Sequence, residues 1–199
     1  MVCRLKDAGE LSTDTVFIDG TKLEACANKY TFVWKKSVGK WEEKMFLRIQ
    51  EAVRLLNLEY FQSFTVKAES RTQDLQKIHD YLTEKCRQDG TVFVHGRGKR
   101  KCRNQKYLEL FRRFLERQVT YEWHTASFQG RNNYCKTDPD ATFMHMKDDH
   151  MRNAQLKPGY NVQIGVDSEY IVAADIFQDR NDVWTLIPFL KTMEEKLGF

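Results

Sequence analysis

Regular spacing of hydrophobic residues predicts most of the secondary structure of the chain. A short run of β-branched and aromatic residues, Val16 to Lys22, predicts a strand. Three longer stretches follow in which apolar residues recur every three or four positions, and each predicts an amphipathic helix. Ser70 or Thr72 is expected to cap the second helix, and Gly90 to end it. The inward positions are Trp41, Met45, Ile49, Val53 and Leu56 in the first helix, Leu75, Ile78, Tyr81 or Leu82 and Lys85 or Cys86 in the second, and Tyr107, Leu108, Phe111, Phe114, Leu115 and Val119 in the third.

The hydrophobic period changes in the final third of the chain. Polar and apolar residues alternate from Asn161 to Val166, turn-forming residues follow at 167–169, and residues 170–177 resemble a second strand, which together predict a hairpin. A helix is then expected to begin at Asn181 or Asp182, with Pro188 kinking it or delaying its regular start. Its predicted apolar positions are Val183, Leu186, Leu190, Met193 and Leu197.

Composition limits the class of protein. A chain of 199 residues with 41% hydrophobic content can bury about 70% of its unfolded surface and form a hydrophobic core. Its five cysteines are scattered without a Cys-x-x-Cys pair, which favours reduced thiols over a zinc or redox site. No stretch approaches the roughly 18 apolar residues of a membrane span, and no signal sequence is visible. We therefore expect a soluble cytoplasmic protein without membrane contact.

Asp19 is the most informative single residue. The run around it is apolar on both alternate faces, which predicts a central, buried strand. Burying an ionised carboxylate costs several kcal/mol unless it is paired or bound to a metal. A salt bridge, a strand end and a functional site are all consistent with the residues alone.

Two long blocks around these elements resemble DDE-type transposases encoded by bacterial insertion sequences. The first runs from Phe17 to Lys36 and contains Phe-Ile-Asp-Gly-Thr-Lys-Leu-Glu-Ala-Cys-Ala-Asn-Lys-Tyr-Thr-Phe-Val-Trp-Lys-Lys. The second opens with Lys136-Thr-Asp-Pro-Asp-Ala-Thr-Phe-Met-His-Met-Lys, continues through Gln155-Leu-Lys-Pro-Gly-Tyr-Asn-Val-Gln-Ile-Gly165, and reaches Asp179-Arg-Asn-Asp182. Both blocks occur in the family's order, and the resemblance covers nearly the whole chain.

The resemblance implies an α/β fold with a partial RNase H-like core, interrupted by a long, mostly helical insertion. On this basis residues 1–199 form a single partial catalytic domain, with the first catalytic strand at 14–26, the insertion at 37–128, and a hairpin plus helix at 136–199. Periodicity by itself predicts only an α/β chain with a mostly helical middle. The implied activity is cleavage and joining of transposon DNA by phosphoryl transfer with divalent metal ions, Mg²⁺ by expectation.

Asp19 matches the first of the family's three metal-binding acids, and Gly20 and Thr21 are expected to let the chain pass close to the site. The family's second acid and its glutamate come from later elements that this sequence does not contain, so the chain alone is expected to be inactive. Four other acids could in principle replace the missing ones: Asp167, Asp175, Asp179 and Asp182. Turn formation, helix capping or a neighbouring cation accounts for each of them without a metal.

The densest basic cluster is the predicted DNA-contacting segment. Cations at these positions would bind phosphates with salt-sensitive, sequence-independent affinity, although a solvated loop between helices has the same composition. Double-stranded transposon ends are the implied partner, in association with the nucleoid, and a homo-oligomer on that DNA is left open. The cluster consists of Arg97, Lys99, Arg100, Lys101 and Arg103.

Two other functions remain as alternatives to a transposase fragment. A non-catalytic DNA-binding or remnant module would explain the missing acids. An RNase H-like nuclease unrelated to transposition would also need Asp19 but would leave the second block at 136–182 without an explanation.

Overall fold

The computed structural model describes residues 2–12, 14–96, 98–147 and 155–197, and it shows a mixed α/β protein with antiparallel sheets. Two compact units are resolved: a helical unit, Lys35–Gln129, and a sheet unit formed by Met1–Trp34 and Gly130–Phe199. In chain order the elements are α1 (Val2–Asp7), β1 (Phe17–Glu24), β2 (Phe32–Trp34), α2 (Lys35–Tyr60), α3 (Arg71–Gln88), α4 (Arg103–Phe128), β3 (Asn133–Cys135), β4 (Thr142–His145), β5 (Leu156–Asp167), β6 (Tyr170–Phe177) and α5 (Asp182–Leu197).

The helical unit forms the three helices expected from apolar periodicity and closes one core between them. Two positions differ from the prediction, because Trp41 is 56% exposed and Val119 is also exposed, whereas the polar Gln118 is buried. These positions lie at the edge of the apolar stripe, where periodicity alone does not determine burial. The buried core residues are Met45, Ile49, Ala52, Val53, Leu56, Leu75, Ile78, Leu82, Phe111 and Phe114.

Polar contacts between helix ends show how the three helices run. The Tyr60 hydroxyl at the end of α2 donates to Asn104 Oδ1 at the start of α4 over 2.7 Å. Near the other end of α2, Glu42 accepts from Gln118 Nε2 at 3.3 Å and pairs with Arg71 at 2.6 Å. Helix α4 therefore runs antiparallel to α2, whereas α3 runs parallel to α2. Residues 61–70 return the chain from the end of α2 to the start of α3.

The main sheet of the sheet unit contains the predicted hairpin. Strand β5 pairs antiparallel with β6, with Gln163 opposite Asp175, and a bulge at Gly165/Val166 shifts the register before the turn. On its other side β5 pairs antiparallel with β1, which places Asp19 opposite Ile164. Strand β4 pairs with the first part of β5. Among the described residues β1 has no neighbour but β5, so it is an edge strand rather than the central strand expected from its sequence.

Helix α5 covers one face of this sheet. Its buried positions are Thr185, Phe189 and Met193, spaced one turn apart, and Phe189 and Met193 pack with Ala173 and Ile18. The prediction for this helix was wrong in detail, because Val183, Leu186 and Leu190 are exposed. Pro188 lies inside the helix without interrupting it.

The opposite face of the sheet is exposed. Cross-strand neighbours share a face, so the rows Phe17–Val166–Ile171 and Asp19–Ile164–Ala174 lie on the side away from α5. Phe17 is 73% exposed, Ile171 64% and Ile176 65%. An apolar sheet face with this exposure has no covering element among the described residues.

The segment 136–140 directly follows a small second sheet formed by β2 and β3. Thr137 Oγ1 accepts from the Asn28 amide at 3.0 Å, and the Tyr160 hydroxyl donates to both Asp138 carboxylate oxygens at 2.8 Å. Burial and the Asp138 carboxylate together raise the pKa of Tyr160 to about 12. The side chains of Thr137 and Asp138 therefore fix this segment to Asn28 and Tyr160.

Candidate metal site and basic clusters

Asp19 lies in the middle of β1, and its carboxylate is exposed rather than buried. The sequence-based expectation of a buried acid was wrong because β1 is an edge strand and Asp19 faces the uncovered side of the sheet. Its side chain makes no hydrogen bond or ion pair with any residue that the structure describes. No described residue therefore occupies this carboxylate.

Gly20 has a packing role on the covered face. A Cβ at this position would overlap the Gln163 side-chain amide and lie 3.0 Å from Asp182 Oδ1. Asp182 accepts hydrogen bonds from Asn161 Nδ2 at 2.7 Å and Gln163 Nε2 at 3.3 Å. Gly20 therefore leaves room for this polar group at the start of α5.

The four substitute acids do not join Asp19. Asp182 and Asp175 lie on the α5 side of the sheet, since Asp182 bonds Gln163 and Asp175 is Gln163's cross-strand neighbour. Asp175 Oδ2 accepts from the Thr192 hydroxyl at 3.0 Å rather than pairing with a cation. Asp167 is buried and accepts from Ser12 at 3.1 Å and Ser168 at 2.8 Å.

Asp179 lies in a depression of about 460 Å³ beside the start of α5, together with Lys22, His145 and Arg180. Lys22 follows Asp19 by an odd number of positions in β1 and so lies on the opposite face of the sheet. All four substitutes are thus separated from Asp19 or already bonded.

The residues present do not fit a Mg²⁺ site. Mg²⁺ requires near-octahedral oxygen coordination, and a two-metal centre needs several converging carboxylates. Within residues 2–12, 14–96, 98–147 and 155–197, no group of three or more His, Cys, Asp or Glu side chains could hold a metal ion. Asp19 by itself supplies one ligand.

The predicted DNA-contacting cluster lies in the loop before α4 and its first residue, and part of its charge is neutralised. Lys101 Nζ lies 2.6 Å from Glu109, which lowers the pKa of that carboxyl, and Arg103 pairs closely with Glu59. Lys99 and Arg100 are exposed and make no ion pair with a described residue. Arg97 lies outside the described residues.

A second cationic surface, which we call the α2/α4 groove, was not predicted. It is a groove of about 580 Å³ between α2 and α4, with buried Met45 and Phe114 as its floor. The signal in the sequence was two pairs of cations one helical turn apart, but the pairing of these helices could not be deduced from it. The lining residues are Trp41, Lys44, Met45, Arg48, Leu110, Arg113, Phe114, Arg117 and Tyr121.

Three comparisons, with protein-family models, with curated proteins and with solved structures, found no match for the chain. No helix in the described ranges is both long and apolar enough to cross a membrane.

Proposed function

We propose that the chain is the leading part of the catalytic domain of a DDE-type transposase, with Asp19 as the first metal-binding acid. The observation that carries the proposal is the exposed, unpartnered Asp19 carboxylate in the middle of a strand whose outer edge is open in the described structure. By contrast, Asp167, Asp175 and Asp182 each accept a hydrogen bond from a neighbouring side chain.

The topology supports a second acid beside Asp19 in a longer chain. Strands β1 and β6 both run antiparallel to β5 and are therefore parallel to each other. Helix α5 begins beside Gln163, and its Met193 packs near Val16, just before β1. A strand following α5 would start at that end, run parallel to β1 and find the open edge beside Asp19. In the family the second acid comes from the strand after this helix.

The exposed face supports a later covering element as well. Phe17, Ile171 and Ile176 surround the row that contains Asp19, and burying each of them would contribute about 1.5 to 3 kcal/mol. An element packed over this face would lie next to the Asp19 carboxylate. The family's glutamate comes from a later part of the chain, which fits such an element.

The proposed substrate is the double-stranded DNA of transposon ends, with cleavage and strand transfer as the reaction and the bacterial nucleoid as the place of action. A homo-oligomer assembled on DNA belongs to the same proposal. Among the described residues no second acid joins Asp19, and we expect the 199-residue chain alone to be inactive.

The test is cleavage by the polypeptide extended through the next strand and helix of its reading frame. We expect Mg²⁺-dependent cutting of DNA carrying the transposon ends, abolished by Asp19→Asn. Asp14→Asn is the matched control, because Asp14 is exposed in the segment before β1 and the chemical change is the same. Full activity of the Asp19→Asn variant would refute the assignment of this residue.

A DNA-binding module without chemistry is the second candidate, favoured by the absence of another acid near Asp19 in the described structure. It predicts that the extended polypeptide binds DNA but leaves it intact with or without Mg²⁺. Cutting by the extended polypeptide would exclude this function.

A further inference from the structure

The α2/α4 groove carries four exposed cations in a regular arrangement. Lys44 and Arg48 lie one turn apart on α2, and Arg113 and Arg117 lie one turn apart on α4, which places each pair about 6 Å apart along its helix. The two pairs therefore line opposite sides of one groove. No acidic residue in the described part of the chain lines it.

Most of this charge is not neutralised by any residue that the structure describes. Lys44, Arg48 and Arg117 make no ion pair or hydrogen bond with any described residue. Arg113 has only a long contact of 3.7 Å to Glu109, whose nearer partner is Lys101 at 2.6 Å. By contrast, the predicted cluster before α4 has both Lys101 and Arg103 in close ion pairs.

Two aromatic residues, one from each helix, extend the groove at the same end, because α2 and α4 run antiparallel. Trp41 lies one turn before Lys44 and Met45 on α2, and Tyr121 lies one turn after Arg117 on α4. The lining of α4 from Leu110 to Tyr121 covers about 16 Å of helix. Measured along the duplex axis, where one strand has a phosphate about every 3.4 Å, this length corresponds to about five phosphates. A polyanion with regularly spaced charges is complementary to this surface.

We propose that the α2/α4 groove binds the phosphate backbone of double-stranded DNA, with Lys44, Arg48, Arg113 and Arg117 as the phosphate contacts. The choice of DNA among polyanions rests on the proposed function, whereas the groove's preference for a polyanion rests on its charge. Contacts of this kind position DNA without reading its sequence. The groove is thus a backbone-binding surface of the helical unit, separate in the chain from Asp19.

The experiment measures binding of a labelled duplex of arbitrary sequence to the 199-residue protein, without metal, between 50 and 200 mM salt. Four phosphate contacts contribute a slope of about −3.6 in log K against log salt, equivalent to about a 100-fold loss of affinity over that range. The groove variant Lys44→Ala/Arg48→Ala/Arg113→Ala/Arg117→Ala should lose most of this slope and bind at least about tenfold more weakly at 50 mM.

A matched control removes four cations from other faces of the same unit. Arg54, Lys77, Lys85 and Arg87 each pair with an acid on their own helix or at its C-terminal cap, so their replacement by alanine should leave the slope nearly unchanged. Equal losses in the groove and control variants would overturn the proposal, because net charge alone would then explain binding. Circular dichroism checks that both variants are folded.

Two further measurements separate the proposed ligand from other polyanions. Lys44 in the unmodified protein should be protected from acetylation by duplex DNA, whereas Lys77 should not. Polyglutamate or duplex RNA that displaces DNA from the groove as effectively as unlabelled DNA would overturn the assignment to DNA. Because binding is measured without metal, it can fail while the extended polypeptide still cuts DNA, and cutting can fail while the groove still binds.

Discussion

Isoleucine residues occupy opposite environments in the two units. Ile49 and Ile78 are fully buried in the helical unit among residues from α2, α3 and α4, whereas Ile171 and Ile176 stand exposed on the sheet unit. The helical unit closes its core with its own helices. The sheet unit covers one face with α5 and leaves its other face and the edge of β1 without neighbours among the described residues. This difference is what we expect if the sheet unit is completed by more chain.

A matched pair of substitutions tests this difference with the largest expected effect. Ile78→Ala should lower the free energy of unfolding of the helical unit by about 2 to 5 kcal/mol, because it leaves a cavity in a closed core. Ile176→Ala, the same change on the exposed sheet face, should cost no more than about 0.5 kcal/mol. Urea denaturation followed by circular dichroism measures both. A comparable loss in Ile176→Ala would show that the sheet face is covered in solution.

Two glycines sharpen the comparison at the level of the backbone. Gly20→Ala should destabilise the sheet unit by about 1 to 3 kcal/mol, because the added methyl overlaps the Gln163 amide and crowds Asp182. Gly39→Ala should stabilise α2 by about 0.5 to 1 kcal/mol, since Gly39 lies inside that helix with open space where the methyl would be. Thermal unfolding of the two variants should give shifts of opposite sign. A Gly20→Ala variant that is as stable as the unmodified protein or more so would contradict the packing described around Gly20.

These glycines also show what the sequence could and could not reveal. Local signals were sufficient for α2, α3, α4 and the hairpin, because apolar period and turn residues act within each element. The role of Gly20 depends on Gln163 and Asp182, which are far away in the chain. Such a contact follows from strand register, which a single sequence does not display.

The environment of Asp19 was mispredicted for a related reason. Its neighbours Phe17 and Ile18 made β1 appear buried on both faces, but only Ile18 packs under α5. An uncovered apolar face and a covered one have the same residue pattern. The α2/α4 groove was missed because the packing of α2 against α4 is a tertiary feature, which a single sequence does not display.

The start of α3 provides the smallest of the expected effects. Asp74 accepts hydrogen bonds from the Ser70 hydroxyl at 2.6 Å and the Lys67 amide at 3.2 Å, which lower the pKa of Asp74 below its ordinary value of 3.8. Ser70→Ala should cost the helical unit about 1 kcal/mol at neutral pH.

The pH dependence of this effect has a defined sign. A carboxyl whose pKa is lower in the folded state stabilises the fold above its unfolded pKa, and the contribution is lost as pH falls through the folded pKa. The cost of Ser70→Ala should therefore shrink below pH 3.8, the ordinary pKa of Asp74. Urea denaturation at neutral and acidic pH measures the loss of stability in the Ser70→Ala variant. A loss that grows in acid would contradict the assigned hydrogen bond.

The open edge of β1 gives the most direct test of the central claim that a following strand pairs beside Asp19. The Ala25 amide donates to the Pro158 carbonyl of β5 over 2.9 Å, and in an antiparallel pair inward and outward amides alternate. The amides of Ile18, Gly20 and Lys22 therefore point away from β5.

Hydrogen exchange of these three amides should be compared between the 199-residue protein and the polypeptide extended through the next strand and helix. We predict rapid exchange in the shorter protein and slowing by about a hundredfold or more in the extended one, because a strand then accepts bonds along this edge. Unchanged exchange at Ile18, Gly20 and Lys22 in a folded extended polypeptide would contradict the account.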